Sequence, residues 1–182
     1  MNIAFITALP YGSPAMHMYR MADAATKNGH TCYTFSKPIK GFVNKRENHS
    51  FIGRCISVRI HNLLAYVTGC EGIYSFFPTL HLIRRLKKIN PDVILLMNLH
   101  GWYLNLPLFF RYIKKNNVRV VWRFPDSWPI TGHCTGFTSV NCDKWKTGCH
   151  HCPQYRLYPQ SKIDCSKIMY KIKKHCFTGV KD

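Results

Sequence analysis

"NPDVILLMNLHGWYLNLPLFFRYIKKNNVRVVWRF", residues 90–124, changes its hydrophobic period twice. "PDVILLMN" (91–98) is a short, nearly continuous apolar run, the pattern of a strand buried on both faces of a parallel sheet. "LHGWYLN" (99–105) breaks that run as a loop, and "PLFFRYIKKNN" (107–117) then spaces apolar residues at helical intervals. "VRVVWRF" (118–124) is β-branched and aromatic and reads as the next strand. Two strands joined through one helix by short connections make a parallel crossover unit, so the fold class expected is α/β, a Rossmann-like doubly wound parallel sheet.

The same alternation holds toward the N-terminus. "NIAFITA" (2–8) and "TCYTFS" (31–36) read as strands, with a helix between them that carries Met18, Met21, Ala22 and Ala25 on one face and stops at Gly29. Ser13 is expected to cap that helix, followed by Pro14 at its first position. Residues 37–50 are polar and basic and read as a loop; "FIGRCISVRIHNLLAYV" (51–67) has helical spacing but enough β-branched residues to leave helix and strand both open. "PTLHLIRRLKKI" (78–89) is an amphipathic helix with Leu82, Ile83, Leu86 and Ile89 inward and a basic remainder.

Composition narrows the partners. Lys plus Arg number 26 against 8 Asp plus Glu, and 26 − 8 gives a formal charge of +18, which draws the chain to polyanions: nucleic acid, an anionic membrane surface or phosphate-bearing substrates. No leader with a charged start, apolar run and small-residue cleavage site is read, and Asn, His, Gly and Pro interrupt the longest apolar stretch, so neither a signal peptide nor a membrane span is expected. Nine cysteines in such a chain favour reduced thiols or metal ligation over a disulfide framework.

In open α/β sheets, ligands bind beyond the carboxyl ends of the strands. Three loops lie there. Residues 9–14 offer Gly12 and Ser13 at a helix N-terminus, residues 98–105 offer Asn98, His100 and Gly101, and residues 125–133 offer Asp126 and His133. A carboxylate and imidazoles on neighbouring loops suit general acid/base work or the holding of sugar hydroxyls; the alternative is that Asp126 caps a turn and the histidines are plain loop residues. "TGHCTGFTSVNCDKWKTGCHHCP" (131–153) places Cys134, Cys142, Cys149 and Cys152 within nineteen residues and ends in a CxxC pair. Four thiolates suit a closed structural zinc rather than a catalytic one, which needs an open position; a redox pair at Cys149 and Cys152, or four buried thiols, are the alternatives.

"NPDVILLMNLHGWYLNLPLFFRYIKKNNVRVVWRFPDSWPITGHC" running into "CDKWKTGCHHCPQYRLYP", with "NIAFIT" and "YGSPAMHMYRMADAATKNGHT" ahead of it, resembles the N-terminal half of bacterial family 4 glycosyltransferases of the kind that build exopolysaccharide, colanic-acid-like or O-antigen sugars. The resemblance implies a GT-B architecture, in which two Rossmann-like domains face a cleft and a sugar passes from a nucleotide-sugar donor to a glycan or lipid-linked acceptor with retention and without a catalytic metal. It places Gly12 and Ser13 in the loop lining the cleft, His100 and Gly101 on the acceptor side, and Asp126 and Trp128 in the family's "HDxW" segment. Two positions depart from it: Pro125 stands where the family usually has His, and Ala15 where it has a second Gly.

The expected organisation is therefore a Rossmann-like acceptor-side domain over 1–130, a Cys-rich insertion over 131–160, and a basic helix, "CSKIMYKIKKHCF", within 161–182, leading toward a donor domain beyond this chain. The nucleotide sugar would then be bound only with that domain, and the chain alone is expected to be inactive. Arg84, Arg85, Lys87 and Lys88 on one helix and Lys167, Lys171, Lys173 and Lys174 on the other are expected on exposed faces, suiting a cytoplasmic protein peripheral at the inner face of the membrane. The rival readings are a zinc-stabilised basic nucleic-acid-binding module and a non-catalytic binding subunit. Neither a complete zinc-finger spacing nor basic residues between exposed aromatics supports recognition of a specific nucleic acid.

Overall fold

Five strands, β1 (Asn2–Ile6), β2 (Thr31–Ser36), β3 (His49–Phe51), β4 (Val93–Leu96) and β5 (Arg119–Trp122), form one all-parallel sheet in the order β3-β2-β1-β4-β5. They come from a computed structural model that describes residues 1–181. Six α-helices are interleaved with them: α1 (Gly12–Lys27), α2 (Cys55–Thr68), α3 (Phe76–Ile89), α4 (Leu106–Lys115), α5 (Lys144–Thr147) and α6 (Ser166–Phe177). The doubly wound expectation holds, because each parallel neighbour must be reached by a crossover and the apolar runs are buried from both sides.

Alternation along the strands divides the core between the two faces. Phe5 meets Met18 and Ala22 of α1 on one side, while Ala4, Ile6, Ile94 and Leu96 meet Leu82, Leu86, Phe109 and Ile113 of α3 and α4 on the other. Asn105, the residue before α4, accepts a hydrogen bond from Leu108 N at 3.0 Å through its side chain, and Pro107 falls in the first turn where its missing N–H costs no helical bond.

Several elements depart from the sequence expectation. β3 lies at the end of the stretch read as loop; three residues are too short for a period to show, and only pairing with Thr34, Phe35 and Ser36 makes them a strand. The ambiguous stretch 51–67 is helical as α2 from Cys55 on, because His61 and Ala65 bury on one side and the β-branched residues find no sheet edge to join. Ser13 does not cap α1. The helix already begins at Gly12 behind an extended Tyr11, so the Ser13 hydroxyl lies inside the first turn rather than ahead of it.

Two corrections concern the C-terminal part. α6 packs on α4 and on the 3-10 turn Trp128–Ile130. Lys173 accordingly lies inside, 2% exposed, rather than on the basic outer face with Lys167, Lys171 and Lys174. Its Nζ donates to Trp128 O at 2.8 Å and Thr131 O at 3.1 Å and sits 3.4 Å from the Trp128 ring centroid, partners that a position on a helical wheel does not reveal. Cys70 and Cys165 form a disulfide joining the α2–α3 turn to the start of α6, so the chain is not wholly reduced; the other seven cysteines are free. The pairing is between residues 95 apart in sequence and is set by the return of α6 to the α2 end.

Burial lowers the Lys173 pKa to about 7, against the opposing pull of Glu71, Cys134, Cys149 and Asp126. A base held down in the folded chain carries fewer protons than in the unfolded chain from about pH 7 up to its ordinary value near 10.5, so its contribution to stability rises with pH across that window. Melting temperatures measured from pH 7 to 9 are expected to rise more steeply for the native chain than for Lys173→Met; parallel curves would refute the lowered Lys173 pKa.

Candidate functional site

β1 is the strand from which the chain winds one way to β2 and β3 and the other way to β4 and β5, so the crevice of the sheet opens beyond β1 and β4. The loops after β4 and β5 meet there. His100 Nε2 lies 2.9 Å from Asp126 Oδ2, and Asn98 Nδ2 donates to the same oxygen at 3.3 Å. The other carboxylate oxygen, Oδ1, accepts from Trp128 N at 2.9 Å and so caps the following turn. Asp126 therefore caps the turn with one oxygen, as one reading expected, and holds His100 and Asn98 with the other. Burial pushes its carboxyl up, but the hydrogen bond and charge of His100, the Trp128 N–H and the Lys173 charge together hold it below its ordinary value.

The second imidazole nitrogen is also engaged. Tyr158 OH stands 3.0 Å from His100 Nδ1. An imidazole whose Nε2–H faces an ionised Asp126 leaves Nδ1 bare to accept, and the phenol supplies the proton. Burial first, then the charges of Glu71 and Asp126, push the Tyr158 phenol up to about 12, so it stays a donor at neutral pH. Tyr158, His100 and Asp126 thus form a chain of hydrogen bonds from solvent, where Tyr158 is half exposed, to a partly buried carboxylate.

Gly101 brings a lysine and a glutamate to the same place. Its φ of +115° lies outside the range open to most side chains, and a Cβ there would stand 3.2 Å from Lys37 Nζ and 3.3 Å from Ala8 Cβ. Lys37 Nζ donates to Gly101 O at 3.3 Å, and Gly101 N donates to Glu71 Oε1 at 2.6 Å. Burial lowers the Lys37 pKa while Glu71 opposes it. Trp102 holds a φ of +65°, with Lys37 Nζ 5.3 Å from its ring centroid and the Tyr158 ring edge-on at 6.0 Å. Lys37, Asn98, His100, Gly101 and Tyr158, with Ala8, Leu9 and Pro14 of the β1 loop, line one cavity that opens to solvent. Among the described residues, Asn98 Oδ1 and Glu71 Oε2 are buried without a hydrogen-bond partner, two acceptors at the crevice that protein groups leave unused.

The structure brings together Asn98, His100, Gly101 and Asp126. Gly12 and Ser13 are exposed at the start of α1 beside Pro14, at the cavity's edge rather than in its lining. Trp128 is fully buried, 6.0 Å from the His100 ring, and supports the imidazole from the core while its face meets Lys173. His133 does not reach this cavity. It is buried beside the cysteines, with Nε2 unpartnered among the described residues. Lys37, Glu71 and Tyr158 were not foreseen as site residues. The scarcity of acids marks Glu71, one of 8 acidic residues and set beside Gly72, but nothing in the local pattern of Lys37 or Tyr158 separates them from other surface residues.

Cys134, Cys142, Cys149 and Cys152 all line a second, narrow cavity with His133 and Trp145. The Cys152 thiol pairs with Cys134, which holds Cys134 down to about 6 and pushes Cys152 up. Gly132 admits the excursion to α6, since a Cβ there would stand 2.8 Å from Cys149 Cβ. Among the described residues, no three His, Cys, Asp or Glu side chains are placed to hold a metal ion as they stand.

No family model matches the chain. Over 96 residues, 50% of this chain, it is 37% identical to WcaC of Escherichia coli (strain K12), a protein assigned as a colanic acid biosynthesis glycosyl transferase. That match spans 23% of the relative's length, so the chain corresponds to about a quarter of it.

Because Asp126 is held below its ordinary value, its contribution to stability is present above the unfolded carboxyl value and is lost as pH falls through the folded one. Asp126→Asn is expected to lower stability by about 1–2 kcal/mol near neutral pH through the weakened His100 and Trp128 bonds, with the difference from the native chain closing as the pH falls through the folded carboxyl value. Melting curves across that range check this, and an equal deficit at every pH would rule it out.

Proposed function

We propose that this chain is the acceptor-binding half of a retaining glycosyltransferase, which moves a sugar from a nucleotide-sugar donor to a glycan or lipid-linked acceptor. The observation that carries this reading is the Tyr158–His100–Asp126 chain at the mouth of the crevice, read together with the similarity to WcaC. An acceptor hydroxyl entering the cavity meets an imidazole nitrogen backed by a carboxylate, and a phenol. When such a hydroxyl takes the place of Tyr158 at Nδ1, His100 can accept its proton, and Asp126 stabilises the imidazolium that results. The cavity also fixes the hydroxyl in one direction, which contributes to rate by removing translational freedom.

In this reading a second domain holds the donor and its diphosphate, and the chain supplies one wall of the cleft. Oligosaccharide acceptors are expected to bind the purified chain weakly, with no turnover of any nucleotide sugar until a donor domain is supplied. In the completed enzyme, His100→Ala is expected to lower transfer about 100-fold or more, as for loss of a general base. Transfer by the assembled enzyme that is indifferent to His100 and Asp126 would sink the assignment, as would robust transfer by the purified chain alone.

We also propose a structural zinc on Cys134, Cys142, Cys149 and Cys152, which would draw the thiols that already share one cavity onto a single ion. The excursion has few aliphatic residues to hold it otherwise. Protein purified without metal-affinity steps is expected to carry about one zinc per chain and to melt at lower temperature after chelation. Metal-free protein whose melting temperature ignores chelators would leave the four cysteines as free thiols.

A further inference from the structure

We propose that α2 and the start of α3 form a docking surface for an anionic lipid bilayer. The proposal stands on exposure and charge alone and does not depend on the glycosyl transfer reading. Ile56, Ile60, Leu63, Leu64 and Val67 recur along α2 at intervals that confine them to about 100° of the helical wheel. All five are exposed, from 39% for Leu64 to 62% for Leu63, while His61 and Ala65 anchor the opposite side of the helix. Phe77, at the start of α3, is 79% exposed. Single exposed apolar residues are ordinary, but a whole stripe on one helix calls for something to cover it.

The surrounding charge identifies what covers it. Between Asn48 and Pro91 the one acidic residue is Glu71, which is buried and engaged with Gly101. The cations in the same span, Arg54 just before α2, Arg59 on it, and Arg84, Arg85, Lys87 and Lys88 on α3, are all exposed. An aliphatic stripe with cations and no exposed acid matches the boundary of an anionic bilayer, where apolar side chains enter the acyl region and cations meet headgroups. A second copy fits worse, because it would bring one chain of net charge +18 against another. Nucleic acid fits worse too, since the stripe on α2 is aliphatic throughout and offers bases no run of rings to stack on, Phe77 lying apart from it on α3.

α2 spans 14 residues, about 21 Å, so it would lie along the surface. Among the described residues no helix is long and apolar enough to cross a membrane. The C-terminal end of α2 leads through Cys70, bridged to Cys165, to Glu71, whose Oε1 holds Gly101 at the cavity. A docked α2 therefore brings the crevice within reach of groups carried at the membrane surface.

The test is co-sedimentation of the full chain with vesicles, with no sugar donor present, so that its outcome is separate from any transfer assay. Binding is expected to mixed phosphatidylcholine–phosphatidylglycerol vesicles, to weaken with added salt, and to be much poorer with phosphatidylcholine alone. The double variant Ile60→Glu, Leu63→Glu should lower partitioning about tenfold or more. Phe77→Ser provides a milder second variant at a fully solvated position, and circular dichroism checks that both fold. Arg84→Glu with Arg85→Glu should weaken binding mainly at low salt. Unchanged partitioning of the stripe variants overturns the proposal. So does a dimer that the stripe variants dissolve without any vesicle binding, or tighter binding to duplex DNA than to vesicles.

Discussion

One carboxylate joins the two loops that make the crevice. Asp126 follows β5, His100 and Asn98 follow β4, and both of the latter converge on a single Asp126 oxygen while the other oxygen starts the turn that carries Trp128. That turn then sets the rest. Trp128 and Thr131 offer their carbonyls to Lys173, and through that buried ammonium α6 is held against the sheet. Without Asp126, the imidazole loses its orientation and the turn loses its cap together, so site geometry and C-terminal packing are coupled through one side chain.

Scarcity of acid gives each acidic residue unusual weight. Among 8 in the chain, Glu71 holds Gly101, Asp126 holds His100, Asp164 accepts from Cys152 N and Ser166 N to fasten the excursion to α6, and Asp92 accepts from Asn2 N at the start of the sheet. Acids engaged with backbone and buried groups do little to neutralise the outer surface. The cations on α2 and α3 consequently stand uncompensated beside an apolar stripe, a combination that arises from where the acids are used as much as from how many lysines there are.

The excursion between the Trp128 turn and α6 has no strand to join, and it is held by contacts of other kinds. Phe137 stacks on Trp145 with centroids 4.9 Å apart, Tyr170 donates to Trp145 O, and Lys162 N donates to Tyr66 O. Its far end returns Tyr158 to His100. A segment that looks like an appendage in sequence thus contributes a wall of the crevice, and the cysteine cavity beneath it bears on the site by keeping that wall in place.

The strand and helix alternation was legible because it rests on short-range periodicity: "PDVILLMN" is too apolar to be solvated, and "PLFFRYIKKNN" can hide its rings only as a helix. The loops bearing His100 and Asp126 were legible for the same reason, since a parallel sheet sends every strand's end to one edge. Pairing over distance was not. Tyr158 lies 58 residues from His100, Cys70 lies 95 from Cys165, and Lys173 lies 45 from Trp128, and no local pattern records such separations. The sequence by itself determined an α/β sheet, its crevice and its basic surface, because those follow from local periodicity and summed charge. Only the tertiary structure decided that a lysine read as solvated lies on a tryptophan face, that His133 belongs with the thiols and not with Asp126, and that the apolar side of α2 faces outward, because burial depends on what the rest of the chain brings to each surface.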